Sequence, residues 1–147
     1  MLALGDSITF GTGAPPEAAY PALLAEHRPA LVIVSIGGND LLRRGDEGAL
    51  RDNLRRTLAA VRAAGAQALL VAVPQPTLAA HLTGSLDDHP LYAIAAEAGV
   101  PLHPQGWSTV LADKRLKSDA IQGNAAGCEA FAHALLGTLR AAGLLSR

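Results

Sequence analysis

Short apolar runs alternate with amphipathic segments along the whole chain, a pattern that predicts alternating strands and helices. The apolar runs are too short for helices and lie next to glycine or proline, and they predict buried strands at residues 2–4, 31–36, 68–73 and 100–102. Apolar residues at helical spacing predict helices over residues 17–27, from the cap Asp46 to Gly65, from residues 87–90 to residue 97, and from the cap Asn124 to about Gly143. This order predicts a single α/β domain over residues 1–147, with a mostly parallel sheet of about four strands and helices on both faces.

The composition is that of a folded globule without a charged binding face. Hydrophobic residues make up 50% of the chain, charged residues 17%, and the net charge is -1, which disfavours disorder and binding to nucleic acid or an anionic membrane. No apolar run approaches the roughly 20 residues of a membrane-spanning helix. Residues 1–4 leave no room for a signal peptide, so we expect a cytoplasmic protein. The single cysteine, Cys128, has helical spacing with Phe131 and Leu135, which predicts a small core residue.

Three polar motifs lie next to predicted strands and helices. Gly5-Asp6-Ser7 follows the first apolar run, Gly37-Gly38-Asn39-Asp40 follows the second, and residues 119–127 lead into the last helix. A serine just past the end of a parallel strand stands at the rim of the sheet, where open α/β folds bind ligands, so Ser7 is a candidate nucleophile. A turn or helix-cap serine is the commoner interpretation of Gly-Asp-Ser alone.

In this order the three motifs resemble those of the SGNH hydrolases, also called the GDSL esterase family. The resemblance implies a flavodoxin-like three-layer fold and serine ester hydrolase chemistry. It implies that Ser7 is the nucleophile, that the Ser7 N–H and the Asn39 side chain donate to the oxyanion, and that Asp119 is the acid. We therefore expect Ser7, Asn39 and Asp119 to lie together at the carboxyl rim of the sheet.

Two departures from the family pattern bear on activity. Gln122 stands where the family has its catalytic histidine, and a neutral amide cannot accept a proton near neutral pH. The family's second motif and second strand are missing, so we expect residues 2–4 to form an edge strand, and the chain either to form a homodimer through that edge or to be poorly soluble. His81, His89 and His103 follow the third and fourth predicted strands, and each is a candidate replacement for the base.

Two hypotheses about function therefore stay open. The first is a carboxylic-ester hydrolase of weak or absent activity, acting on a small acyl ester, a lysolipid or an acetylated sugar. The second is a non-catalytic binding domain for a small ligand, or a degenerate remnant of the family. Serine acyl transfer needs no cofactor, and the histidines lack the spacing of a metal site, so we expect neither a cofactor nor a metal. The expected partner is a small-molecule acyl ester, without nucleic acid and without a membrane span.

Overall fold

A computed structural model of the chain describes residues 1–5, 29–75 and 86–145. The strands in this part are β1 (Leu2–Leu4), β2 (Leu31–Val34), β3 (Gln67–Val71) and β4 (Leu102–His103). The helices are α1 (Gly38–Leu42), α2 (Glu47–Ala63), a 3₁₀-helix (Pro90–Ala93), α3 (Ile94–Ala98), α4 (Gly106–Ala112) and α5 (Ala125–Ala141). The predicted helix over residues 17–27 lies outside the described residues.

All four strands form one parallel sheet in the order β1-β2-β3-β4. Leu4 pairs with Val34, and Val34 pairs with Leu70, so the carboxyl ends of the first three strands meet at one rim. This confirms the predicted parallel α/β fold. β1 lies at one end of the sheet as the described residues define it. The homodimer expected through β1 stays a prediction.

The core has two halves, one on each face of the sheet. On one face, α2 places Leu50, Leu54, Leu58 and Val61 against alternate strand residues such as Val32 and Leu70. On the other face, Leu31, Ile33, Leu69 and Val71 pack against Leu139, with Trp107, Phe131 and Leu135 around them. Because strand side chains alternate between faces, each buried strand contributes to both halves, which gives the three-layer arrangement.

Side-chain caps fix the starts of the two long helices as the sequence predicts. The Asp46 carboxylate accepts hydrogen bonds from the N–H groups of Gly48 at 2.7 Å and Ala49 at 3.2 Å. The Asn124 side chain accepts from the Gly127 N–H at 3.0 Å. These bonds satisfy N–H groups that the first turn of a helix leaves unpaired. None of the described helices is long and apolar enough to cross a membrane.

Two expectations about the C-terminal third are wrong. Trp107 follows the last predicted strand in a segment where the sequence pattern predicts no helix, but it lies in α4, where its ring stacks on Phe131 with ring centres 4.1 Å apart. Cys128, expected in the core, is exposed, because the stripe of α5 that faces the sheet and α4 runs through Gly127, Phe131 and Leu139. Cys128 is one residue beyond Gly127, which places its side chain about 100° further around the helix axis.

Candidate functional site

The first motif leaves the sheet at the same rim as the second. β1 ends at Leu4, opposite Val34, and both strands run in the same direction. Gly5, the last residue described before a gap, follows directly, and Ser7 lies two residues further along the sequence. Ser7 itself is outside the described residues. The expected grouping of Ser7, Asn39 and Asp119 therefore stays a prediction.

Asn39 stands in the first turn of α1, just after the carboxyl end of β2, and is partly buried. The turn before it depends on Gly37, whose φ of 108° is a conformation that side chains with a Cβ rarely adopt. A Cβ on Gly37 would also lie 2.9 Å from the Tyr92 hydroxyl and 3.2 Å from a Leu50 methyl group. Gly37 therefore lets the chain turn tightly enough to start α1 at the rim.

Tyr92 anchors this turn from the 3₁₀-helix, a role that the sequence alone did not reveal. Its side chain is 1% exposed, and its hydroxyl donates a 2.6 Å hydrogen bond to the Ile36 carbonyl. The bond joins two segments that are 56 residues apart in sequence. Aromatic residues make up only 3% of the chain. A tyrosine within a predicted helix was therefore the sequence signal that could have indicated a buried ring with a hydrogen-bonded hydroxyl.

The terminal motif forms a turn closed by the Asp119 carboxylate. One oxygen, Oδ1, accepts hydrogen bonds from the N–H groups of Ile121 and Gln122, both at 2.8 Å. The Gln122 carbonyl in turn accepts from the Ser118 N–H at 3.0 Å. The structure thus brings Asp119 and Gln122 together, with both residues exposed. Every hydrogen bond recorded for Asp119 within the described residues uses Oδ1, which leaves Oδ2 available to a partner.

The loop that carries this turn, residues 113–124, is held on α4 and α5. The Asn124 side-chain amide donates to the Arg115 carbonyl at 2.8 Å, and the Asn124 N–H donates to the Leu116 carbonyl at 2.9 Å. A Cβ on Gly127 would overlap the Leu116 carbonyl and lie 2.8 Å from a Val110 methyl group. Gly127 is therefore the position in α5 where the loop backbone comes into direct contact with the helix.

The His89 ring is held by a backbone N–H group two residues further along the chain. Its Nδ1 accepts a hydrogen bond from the Leu91 N–H at 3.2 Å, which caps the 3₁₀-helix. The lone pair that a general base would use is thereby occupied, and in the neutral ring the proton lies on Nε2. Nε2 faces a Glu47 carboxylate oxygen 3.6 Å away. This arrangement does not favour His89 as the replacement for the missing base.

His103 is a core residue. It is 2% exposed, its Nδ1 lies 2.7 Å from the Thr138 hydroxyl, and its ring meets Phe131 edge-on. Within the described residues its Nε2 has no hydrogen-bond partner. Burial lowers the pKa of the His103 imidazole, against a smaller opposing effect of the Asp88 carboxylate. Because the His103 ring is packed against α5, the structure does not favour it as a base at the rim. The third candidate, His81, lies outside the described residues.

The chain matches the GDSL-like lipase/acylhydrolase family over residues 21–130. It is similar to esterase TesA of Pseudomonas aeruginosa, with 44% identity over 70 residues, which are 48% of this chain and 35% of that protein. It is also similar to thioesterase 1/protease 1/lysophospholipase L1 of Escherichia coli, with 33% identity over 119 residues, 80% of this chain and 57% of that protein. The chain thus spans roughly a third to just over half of these curated relatives.

Solved structures agree with this fold. The crystal structure of TesA aligns with a TM-score of 0.69 at 25% identity, covering 95% of this chain and 97% of that chain. The psychrotrophic esterase EstA from Pseudoalteromonas, inhibited by monoethylphosphonate, aligns with a TM-score of 0.70 at 16% identity, covering 95% and 96%. At that lower identity the likeness to EstA shows the fold alone.

Proposed function

Because this chain belongs to the GDSL-like lipase/acylhydrolase family, we propose that it is a carboxylic-ester hydrolase domain whose active site lacks its base. Ser7 is the nucleophile, and the Ser7 N–H and the Asn39 side chain donate to the oxyanion. Asp119 is the acid, and Gln122 occupies the position of the base. The substrate is a small acyl ester, a lysolipid or an acetylated sugar.

Two observations carry this proposal: the strand ends that meet at the carboxyl rim and the turn that fixes the Asp119 carboxylate. Gly5 and the Gly37 turn leave adjacent strands there, and the turn that precedes Asn39 is held by the Tyr92 hydroxyl. The Asp119 carboxylate is fixed by two backbone N–H groups that hold Oδ1 and leave Oδ2 for a histidine-like partner. An anchored turn before the proposed donor and a carboxylate held by hydrogen bonds both lower the reorganisation that a serine hydrolase site needs during reaction.

Gln122 determines how much activity this arrangement supports. An amide at the base position leaves the Ser7 hydroxyl without a group to take its proton. Loss of one triad member lowers turnover by about 10⁴ to 10⁶, while oxyanion stabilisation and binding retain about 10³ to 10⁴ over water. We therefore expect weak hydrolysis from the chain as it stands.

A second candidate is a non-catalytic domain that binds a small ligand. It is favoured by the state of the histidines that could replace the base, since His89 uses Nδ1 to cap a helix and His103 is packed against Phe131 and Thr138. The fold and the rim would then serve recognition without turnover.

A fluorophosphonate probe separates the two candidates, because the Ser7 oxygen must attack phosphorus and expel fluoride for a label to form. The hydrolase proposal predicts slow, saturable labelling, which peptide mass spectrometry locates at Ser7. Labelling should be lost in Ser7→Ala and after denaturation. Absence of any label on the folded chain, at probe exposures that saturate an active esterase, would leave the binding domain as the better account.

A further inference from the structure

A polar cleft opens between the first turns of α2 and the start of the 3₁₀-helix. We call it the α2 cleft. Its volume is about 290 Å³, and it is lined by Glu47, Gly48, Arg51, Gln75, His89, Pro90 and Leu91. Small-molecule sites usually measure about 300 to 1,000 Å³, so this cleft suits a ligand at the small end of that range.

A buried polar side chain of this lining, that of His89, presents a donor to the cleft. His89 is 8% exposed, and because its Nδ1 accepts from the Leu91 N–H, the neutral ring carries its proton on Nε2. The 3.6 Å between Nε2 and the Glu47 oxygen is too long for a hydrogen bond. Within the described residues, the Nε2–H donor therefore makes no hydrogen bond. A ligand hydroxyl near both atoms would accept from His89 and donate to Glu47.

The charge of the cleft argues against an ionic ligand. Arg51 donates to Glu97 at 2.9 Å, and the neighbouring Arg55 pairs with Glu97 at 3.0 Å and Asp52 at 3.3 Å, so the arginine charges are balanced. The Glu47 carboxylate, which pairs with no lysine or arginine in the described part of the chain, would repel an anion. For a metal ion, the described residues contain no group of three histidine, cysteine, aspartate or glutamate side chains.

The remaining lining suits a sugar ring better than an acyl chain. Gln75 adds an amide that both donates and accepts, so four of the seven lining residues, Glu47, Arg51, Gln75 and His89, carry polar side chains. The exposed ring of Pro90 supplies one flat apolar surface for the carbon face of a ring. We propose that the α2 cleft binds a neutral, hydroxyl-rich ligand of monosaccharide size, held between the His89 donor and the Glu47 acceptor.

The cleft adjoins the turn that carries Asn39. Leu50 follows Gly48 by two residues on α2, Tyr92 follows Leu91, and both side chains lie within van der Waals reach of a Cβ on Gly37. Most of the residues that line the cleft and the residues that contact the turn therefore belong to the same two helices. In a step that rests on the proposed function, the ligand is the alcohol half of the ester, so the substrate is an acetylated sugar rather than a lysolipid.

Binding is tested by titrating the ¹⁵N-labelled chain with the methyl glycosides of glucose, galactose, mannose and xylose. The proposal predicts that at least one gives saturable, millimolar shifts of the Gly48 and Leu91 amide signals. Glu47→Ala should weaken binding at least about tenfold. The matched control is Glu129→Ala, because Glu129 also faces a histidine, His133 at 3.9 Å, but on the exposed surface of α5; it should leave binding unchanged.

The proposal is overturned if no glycoside gives saturable shifts, if Glu47→Ala binds as well as the wild type, or if octanoate occupies the cleft in preference to the glycosides. The titration is repeated in Ser7→Ala, where binding should persist. Glycoside binding without phosphonate labelling would reject the hydrolase and keep the cleft. Labelling at Ser7 without glycoside binding would keep the hydrolase and reject the α2 cleft as a sugar site.

Discussion

The Tyr92 hydroxyl donates a 2.6 Å hydrogen bond to the Ile36 carbonyl and so joins the 3₁₀-helix to the turn that leads to Asn39. Ile36 and Gly37 lie between the end of β2 and the start of α1, beyond the last residue pair of β2 and β3. The partner of this carbonyl is therefore a side chain from a distant element. The position of Asn39 depends on packing in the core as well as on its own loop.

Tyr92→Phe removes this hydrogen bond and keeps the ring. We expect the free energy of unfolding to fall by about 1 to 3 kcal/mol, since the Ile36 carbonyl loses its partner inside the protein. Urea denaturation followed by circular dichroism measures this change, with the slope against denaturant as the check that the folded state is intact. A loss below about 0.5 kcal/mol would mean that water replaces the hydroxyl and that the anchor is weak.

Two glycines of α5 make a matched pair for testing how the loop of Asp119 is held. Gly127→Ala would push a methyl group into the Leu116 carbonyl, and we expect a destabilisation of about 1 to 3 kcal/mol. Gly137 has open space around it, so Gly137→Ala should stabilise the chain by up to about 1 kcal/mol through higher helix propensity. Urea denaturation of both variants measures this difference. Equal effects would show that residues 113–124 do not pack on α5 as described.

The pH dependence of stability should report His103. Because burial lowers the pKa of its imidazole below the ordinary value of 6.5, the folded state binds a proton less readily than the unfolded state. The unprotonated His103 ring contributes stability that is fully present above pH 6.5. This stability is lost as the pH falls from 6.5 through the lowered pKa of the folded state.

We expect the free energy of unfolding to decline over that range in the wild type and to decline less in His103→Gln, which keeps a polar group for Thr138. His133→Gln changes an exposed histidine of α5 and should keep the wild-type slope. Urea titrations at a series of pH values between about 7 and 5 measure the slopes. Identical slopes in His103→Gln and the wild type would contradict the buried position.

The sequence predicted those parts of the fold that local rules control. The spacing of Leu50, Leu54 and Leu58 and the cap at Asp46 located α2, because helix periodicity and capping are local. It missed α4 and the exposure of Cys128, because Trp107 and α5 adopt their positions through stacking and through the contact at Gly127. The same limit applies to the site, since His103 and Tyr92 are fixed by Thr138 and Ile36, each far away in sequence.

The central claim is that this chain keeps a serine hydrolase site from which the base is missing. The Oδ1 atom of Asp119 already accepts the two hydrogen bonds that close its turn, and Oδ2 is left for an imidazole. We therefore expect Gln122→His to need no change of the backbone. A control, Ile121→His, places the same ring at the neighbouring exposed position. A second control repeats Gln122→His in a Ser7→Ala background.

The decisive measurement is the rate of p-nitrophenyl acetate hydrolysis by these variants. The account predicts that Gln122→His raises the rate by about 10² or more over the wild type. It predicts no gain in Ile121→His and none in the Ser7→Ala background. A folded Gln122→His that hydrolyses the ester no faster than the wild type would contradict the claim that the base is the part that is missing.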